Sequence, residues 1–131
     1  MFSWLRRRLK QRSAKPRIEV TSDGFAAIGP DGHTFPVRWR AIIKMAAYKR
    51  DNITTDEIIL AVETEDQPGV VREFSEEWDG FSNLFDPMKE HLGISASWYM
   101  EIMTPAFEPG FRIIFERSSA VRGGGTAEGA R

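Results

Sequence analysis

The sequence contains no cysteine and only two histidines among its 131 residues. Without cysteine the chain has no disulfides, thiolate nucleophiles or Cys-ligated zinc. This composition fits a reducing compartment, so we expect a cytoplasmic protein. The two histidines, His33 and His91, are too few and too unrelated in spacing to indicate a metal site. We expect neither a metal nor another cofactor.

Long apolar runs are also absent from the sequence. No segment reaches the ~18 to 20 consecutive apolar residues that a membrane-spanning helix needs. The basic residues near the start are followed by a polar segment, 11–17, where a secretory signal would need an apolar one. We therefore expect no export by that route, and an organelle transit peptide, which has a similar composition, stays an alternative.

Motifs for catalysis and cofactor binding are missing as well. The sequence has no nucleophile elbow and no phosphate-binding glycine loop ahead of a predicted helix. The acidic stretch over residues 63–79 lacks the alternating spacing of a calcium-binding loop, so we interpret it as a solvated face. We expect a protein that is not an enzyme, with a small enzyme of unknown reaction as the alternative.

The net charge of -1 conceals an uneven distribution of charge. Residues 1–17 carry seven Lys or Arg and no Asp or Glu, whereas residues 18–117 carry nine basic and eighteen acidic residues. Residues 118–131 are rich in glycine and lack an apolar pattern. We predict a basic amphipathic or disordered arm over 1–16, one β-rich domain over 17–117 and a disordered Gly-rich tail over 118–131.

The arm is the strongest functional candidate in the sequence. Its apolar and basic side chains suit the interface of an anionic membrane, where each basic residue contributes ~1 kcal/mol of attraction. The predicted membrane-binding residues are Phe2, Trp4, Leu5, Arg6, Arg7, Arg8, Leu9 and Lys10. We expect residues 1–15 to contact such a membrane at its inner face, and a disordered or self-docked terminus is the alternative. We do not expect a nucleic-acid partner, because the acidic body would repel a polyanion.

The apolar pattern of the body predicts mainly antiparallel strands. Alternation of polar and apolar residues predicts strands over 17–21, 57–63 and 110–117. Strands over 25–28 and 34–39 flank a Gly-Pro-Asp-Gly turn at 29–32, which predicts a hairpin. We predict a second hairpin in which 42–50 and 57–63 flank a polar linker, 51–56.

The period changes after residue 75. Five apolar residues follow the spacing that puts them on one face of a helix. They are Phe81, Leu84, Phe85, Met88 and Leu92. This spacing predicts an amphipathic helix near 79–92 that ends at Gly93, and Pro87 must kink or divide it. Residues 97–103 fit either a strand or a helix.

Several short strands followed by one such helix resemble pleckstrin-homology-like domains, in which a helix closes one end of a bent antiparallel sheet or partial barrel. The segments 48–51, 75–77, 80–81, 98 and 105–107 also resemble a pattern in small uncharacterised bacterial proteins. The resemblance implies an α+β fold of that kind and a bacterial cytoplasmic origin. It supplies no catalytic residues, and its implication of a binding module is an analogy between folds.

A partner-binding edge is predicted where the fourth strand ends. Tyr48, Lys49, Arg50 and Asp51 combine an aromatic ring with mixed charges next to the polar linker, a common position for binding residues. An internal salt-bridged strand end is the alternative interpretation. We expect a non-catalytic interaction or adaptor domain with an unknown protein partner, or else an immunity-type inhibitor whose acidic surface blocks a basic toxin.

Overall fold

The computed structural model describes residues 15–52, 55–104 and 111–117. The eight predicted membrane-binding residues, from Phe2 to Lys10, lie outside this part of the chain, as does the predicted tail over 118–131.

The described residues form two antiparallel sheets and two short α-helices, which confirms an α+β fold built mainly on antiparallel strands. The strands are β1 Arg17–Val20, β2 Gly24–Ile28, β3 Thr34–Arg38, β4 Ile42–Asn52, β5 Thr55–Thr64, β6 Val71–Ser75 and β7 Arg112–Glu116. The helices are α1 Phe85–Leu92 and α2 Ser97–Met103. One sheet has the order β1-β2-β3 and the other β6-β5-β4-β7, so the described strands do not close into a barrel.

Both predicted hairpins are present. β2 pairs with β3 across the turn at 29–32, with Phe25 opposite Val37. β4 pairs with β5 as far as Asn52 opposite Thr55, so most of the polar linker predicted over 51–56 is paired strand. Backbone pairing continues into this polar segment because each ladder hydrogen bond is made by the main chain whatever the side chain.

The core lies on one face of the four-stranded sheet. Alternate residues of its strands point to that face, as the apolar period of two predicts, and Leu60 lies between Ala47 and Phe74 in the register. The most deeply buried large side chains are Phe74, Ile42, Met45, Ile58, Ile59, Leu60, Leu84, Met88, Ile102 and Val62. All of these except Ile59 belong to the continuous apolar cluster that joins both sheets and the helices.

The predicted amphipathic helix is divided into two parts. A 3₁₀ turn, Phe81–Leu84, leads directly into α1. Pro87 falls in the first turn of α1, where backbone N–H groups have no partner within the helix, so the missing donor costs nothing. The five predicted apolar residues all pack in or against the core. Gly93 ends α1 in a left-handed conformation and its N–H donates to the Lys89 carbonyl, as expected.

The segment before the 3₁₀ turn is held against β1. Ile18 N–H donates to the Asp79 carbonyl at 2.7 Å. At the next residue, Gly80, a Cβ atom would lie 2.0 Å from the Ile18 carbonyl oxygen, and φ is +90°. Only glycine fits this close approach.

Residues 97–103, which fit either a strand or a helix, form α2. Its Trp98 and Ile102 are buried four residues apart, so one helical face enters the core.

Candidate functional site

The side of the four-stranded sheet that faces away from the core carries an unusual concentration of paired polar side chains. We call this side the outer face. The register places Tyr48, Ile59 and Ser75 side by side on β4, β5 and β6, and Ile113, Ala46, Ala61 and Glu73 form the adjoining row. Because neighbouring strands lie ~4.8 Å apart, side chains on β4 and β6 must cross β5 to meet.

Tyr48 makes that crossing. Its hydroxyl donates to Glu73 Oε2 at 2.6 Å, so its ring lies above β5 between Ile59 and Ala61. Ile59, which lies opposite Tyr48 in the register, is 1% exposed although it points away from the core. Burial, followed by the hydrogen bond to Glu73, raises the pKa of Tyr48, so the hydroxyl keeps its proton at neutral pH.

Arg50 closes the polar network. Its Nη2 atom lies 3.0 Å from both the Tyr48 hydroxyl and Glu73 Oε1, and Nη1 lies 3.9 Å from Glu57 Oε1. The hydrogen bond to Tyr48 raises the pKa of Arg50, and the charges of Glu73 and Glu57 act in the same direction. Exposed ion pairs contribute little to stability, at most ~1 kcal/mol each, so the network orients these side chains more than it stabilises the fold.

Ser75 extends the network toward the end of the sheet. Its hydroxyl donates to Glu57 Oε2 and accepts a hydrogen bond from the Glu77 N–H at 3.1 Å. Ser75 is buried. Its donor and its acceptor are both engaged, so in this conformation the hydroxyl holds Glu57 and the start of the following turn in place.

Glu76 connects this region to α2. Its Oε2 accepts the Ile58 N–H at 2.9 Å, and its Oε1 accepts the Tyr99 hydroxyl at 2.6 Å. That hydrogen bond, with burial and the charge of Glu76 as further causes, raises the pKa of Tyr99 to about 12. A single carboxylate therefore joins β5 to a helix of the core.

Exposed apolar side chains border the network on the β7 side. Phe111 is 62% exposed and Ile113 is 50% exposed. The Phe111 ring lies 6.5 Å from the Tyr48 ring, centroid to centroid. We call Tyr48, Arg50, Glu73, Phe111 and Ile113 together the outer-face patch. It combines an oriented polar centre with exposed apolar side chains.

The four residues of the predicted partner-binding edge do not share one surface. Tyr48 and Arg50 lie in the outer-face patch, whereas Lys49 and Asp51 alternate to the opposite side of β4. The Lys49 side chain is only 8% exposed, and its Nζ lies 4.0 Å from Asp56 Oδ2. Asp51 is exposed and faces Asp56 in the register. The structure thus brings two of the four together and separates them from the other two.

Sequence reasoning missed the other members of the patch. The sequence places Glu73 in the acidic stretch that we interpret as a solvated face, yet its carboxylate binds Tyr48 and Arg50, which lie two strands away on β4. The sequence indicates Ile113 only as part of a strand pattern, and it indicates Phe111 both in that pattern and as one of five aromatic residues that could form a recognition patch. The alternation of that strand did indicate that one of its faces would be apolar, but not which face the sheet would leave uncovered.

Aromatic residues in the sequence could also form a recognition patch, with positions in the core as the alternative: Trp39, Trp78, Trp98, Phe107 and Phe111. Trp39 and Trp98 belong to the core. Trp78 is half-buried against it, and Phe107 lies outside the described residues. Only Phe111 is exposed among those described.

No group of three or more His, Asp or Glu side chains in the described part of the chain is arranged to hold a metal ion. Among the same residues, no helix is long and apolar enough to cross a membrane. No protein-family model, curated protein or solved structure matches the sequence or the fold.

Proposed function

We propose that this protein is a non-catalytic interaction module that contacts a protein partner through the outer-face patch and a membrane through residues 1–15. The observation that carries the first part is the position of exposed Phe111 and Ile113 beside the oriented Tyr48–Arg50–Glu73 network. Interfaces concentrate aromatic and arginine side chains, and prior orientation lowers the entropy lost on binding.

The charge of the patch indicates the chemistry of its partner. Within the patch the charges of Glu73 and Arg50 cancel, Glu57 beside Arg50 adds one acid, and the body as a whole carries an excess of acid. A partner with a basic rim around an apolar centre would complement this surface, and its association would weaken as salt concentration rises.

The membrane part of the proposal rests on the composition of residues 1–15, which combine basic and apolar side chains. Lys15 Nζ lies 3.2 Å from Glu77 Oε1 at the start of the body. Basic and apolar residues together give firmer attachment to a membrane than either alone.

A pleckstrin-homology-like relationship belongs to the same proposal. β1 to β6 precede both helices, as strands precede the helix in pleckstrin-homology-like domains, while β7 follows them.

Site-specific photo-crosslinking tests the outer-face patch. A photoreactive residue at position 111 should capture one partner in cells, whereas the same residue at position 100 should not. Met100 is the matched control, because it is as exposed as Phe111, at 62%, but lies on α2. The purified partner should then bind the wild-type protein, lose affinity as salt rises, and bind an Ile113→Asp variant at least ~tenfold more weakly.

Equal capture at positions 111 and 100, or undiminished binding by Ile113→Asp, would contradict the proposed surface. If the captured partner were a basic enzyme that this protein inhibits, the module would be an inhibitor acting through the same face.

Vesicle co-sedimentation tests the membrane part separately. The full chain should bind vesicles containing anionic lipid, release them at high salt and bind neutral vesicles poorly. Deletion of residues 1–14 should abolish binding while the Lys15–Glu77 pair is retained, and deletion of 118–131 is the control. Equal sedimentation of the full chain and the arm deletion would reject membrane attachment without affecting the protein-binding proposal.

A further inference from the structure

A cavity of about 350 Å³ opens where the two sheets meet, away from the outer-face patch. Its lining comes from four separate parts of the chain: Asp23 from the β1–β2 turn, Trp39 and Arg40 from the link between the sheets, His91 from the end of α1, and Arg117 after β7. The volume is within the range of small-molecule sites.

Arg117 is oriented at the mouth of this cavity by the main chain. Its Nε donates to the Ile42 carbonyl at 3.1 Å, and its Nη2 donates to the Arg40 carbonyl at 3.4 Å. Neutral carbonyls leave the charge of the guanidinium uncompensated while they hold it in one orientation. A guanidinium fixed in this way loses little entropy when an anion binds to its free edge.

Arg40 adds a second uncompensated cation. In the described part of the chain, no carboxylate lies within ion-pair distance of Arg40 or Arg117. Asp23 is the one acidic residue in the lining, and its Oδ1 accepts a hydrogen bond from the Ser22 hydroxyl at 2.8 Å. The cavity therefore carries a net positive charge on a body that is acidic overall.

Trp39 forms part of the wall of the cavity. The residue is 3% exposed, and its Nε1–H has no hydrogen-bond partner among the described residues. The His91 ring stacks on the indole, with 5.5 Å between the ring centroids and only 6° between the planes, so the two side chains pack together in the lining. A buried N–H without an acceptor is costly, but this nitrogen is closed to solvent, so the indole reports on the cavity and is not assigned as a ligand contact.

We propose that this cavity binds a small oxyanion of the phosphate class, held by Arg40 and Arg117 beside the Trp39–His91 wall. Phosphate presents several acceptor oxygens and a charge of the required sign, and guanidinium groups match its geometry. This inference is independent of the proposed protein-binding surface, since no residue of the outer-face patch is among the described residues that line the cavity.

A titration of the full chain with inorganic phosphate, followed by the indole N–H signals in NMR spectra, tests the proposal. The Trp39 signal should shift with saturation. Trp98 is a control within the same molecule: it is equally buried and its Nε1–H also lacks a partner in the described residues, but it does not line this cavity. Chloride at the same ionic strength should move neither signal to saturation.

Three variants test whether phosphate binds in this cavity. Arg40→Gln and Arg117→Gln should each weaken phosphate binding by about tenfold or more, because a charge-assisted hydrogen bond is lost. Asp23→Asn should tighten binding by about fivefold, because it removes the opposing charge and keeps the shape. Arg40 is exposed, so its variant gives a result even if loss of Arg117 impairs folding.

Three results would overturn the proposal. They are equal shifts of the Trp39 and Trp98 signals, a Trp39 shift that does not saturate, and an unchanged affinity for phosphate in Arg40→Gln. Vesicles containing an anionic phospholipid, added to the protein lacking residues 1–14, distinguish a lipid phosphate from a soluble one. Binding that depends on Arg40 would assign the site to a headgroup, and phosphate binding without vesicle binding would assign it to a soluble anion.

Discussion

The two faces of the four-stranded sheet share the same backbone ladder but are stabilised in different ways. On the core face, Leu60 is buried among apolar side chains from both sheets and the helices. On the outer face, Ile59 is equally buried, but the described residues around it include a tyrosine that reaches from one flanking strand to an acid on the other. The core face is packed with apolar side chains, whereas the described outer face around Ile59 carries polar contacts between strands.

The largest effect is expected on the core face. Leu60→Ala should lower the free energy of unfolding by about 2 to 5 kcal/mol, because it leaves a cavity in a fully packed region. Val71→Ala is the control on the outer face, since Val71 is largely exposed, and it should change stability by no more than about 0.5 kcal/mol. Urea denaturation measures the free energy of unfolding of both variants. Equal losses of stability would contradict the proposed difference between the two faces.

Ile59→Ala should have the next largest effect and lower the free energy of unfolding by about 2 kcal/mol. This is at the low end for such a change, because the side chains above Ile59 can collapse into the space. If Tyr48 covers Ile59, the loss of stability caused by Ile59→Ala should be smaller in a Tyr48→Ala background. A double-mutant cycle measures this coupling. Additive losses would show that Tyr48 does not shield Ile59.

Tyr99→Phe should cost about 1 kcal/mol, the value of one hydrogen bond, and it should also change the response to alkali. The pKa of Tyr99 is raised from 10.0 to about 12 in the folded protein. Because the folded state holds this proton more tightly, the contribution is complete below pH 10 and is lost as pH rises toward 12. The difference in stability between wild type and variant should therefore narrow over that interval. If the difference in stability stayed constant over that interval, the Glu76–Tyr99 hydrogen bond would not be its cause.

The smallest effect is expected for Arg50→Gln. Its ion pairs are exposed, so the loss should lie between about 0.2 and 1 kcal/mol and should decrease at high salt. Thermal melts at low and high ionic strength measure it, with Lys44→Gln, which removes the exposed pair with Glu116, as the matched control. A larger, salt-independent loss would mean that Arg50 supports packing beneath it.

Much of the fold could be predicted because its pattern is local. The alternation around Leu60 and the helical spacing from Phe81 to Leu92 each need only neighbouring residues to be read. The candidate site could not be predicted in this way. Glu73 lies 25 residues from Tyr48 along the chain, and nothing near either residue indicates that β6 joins the far side of β5.

Composition and periodicity determined the antiparallel α+β character, the hairpins and the apolar face of the helix, since each follows from short-range geometry of the chain. Tertiary structure decided which alternate residues of β4 face outward together with Glu73, and it gathered Asp23, Arg40, His91 and Arg117 around one cavity. The reason is that register and strand order bring together residues far apart in the chain, and these depend on the packing of the whole core.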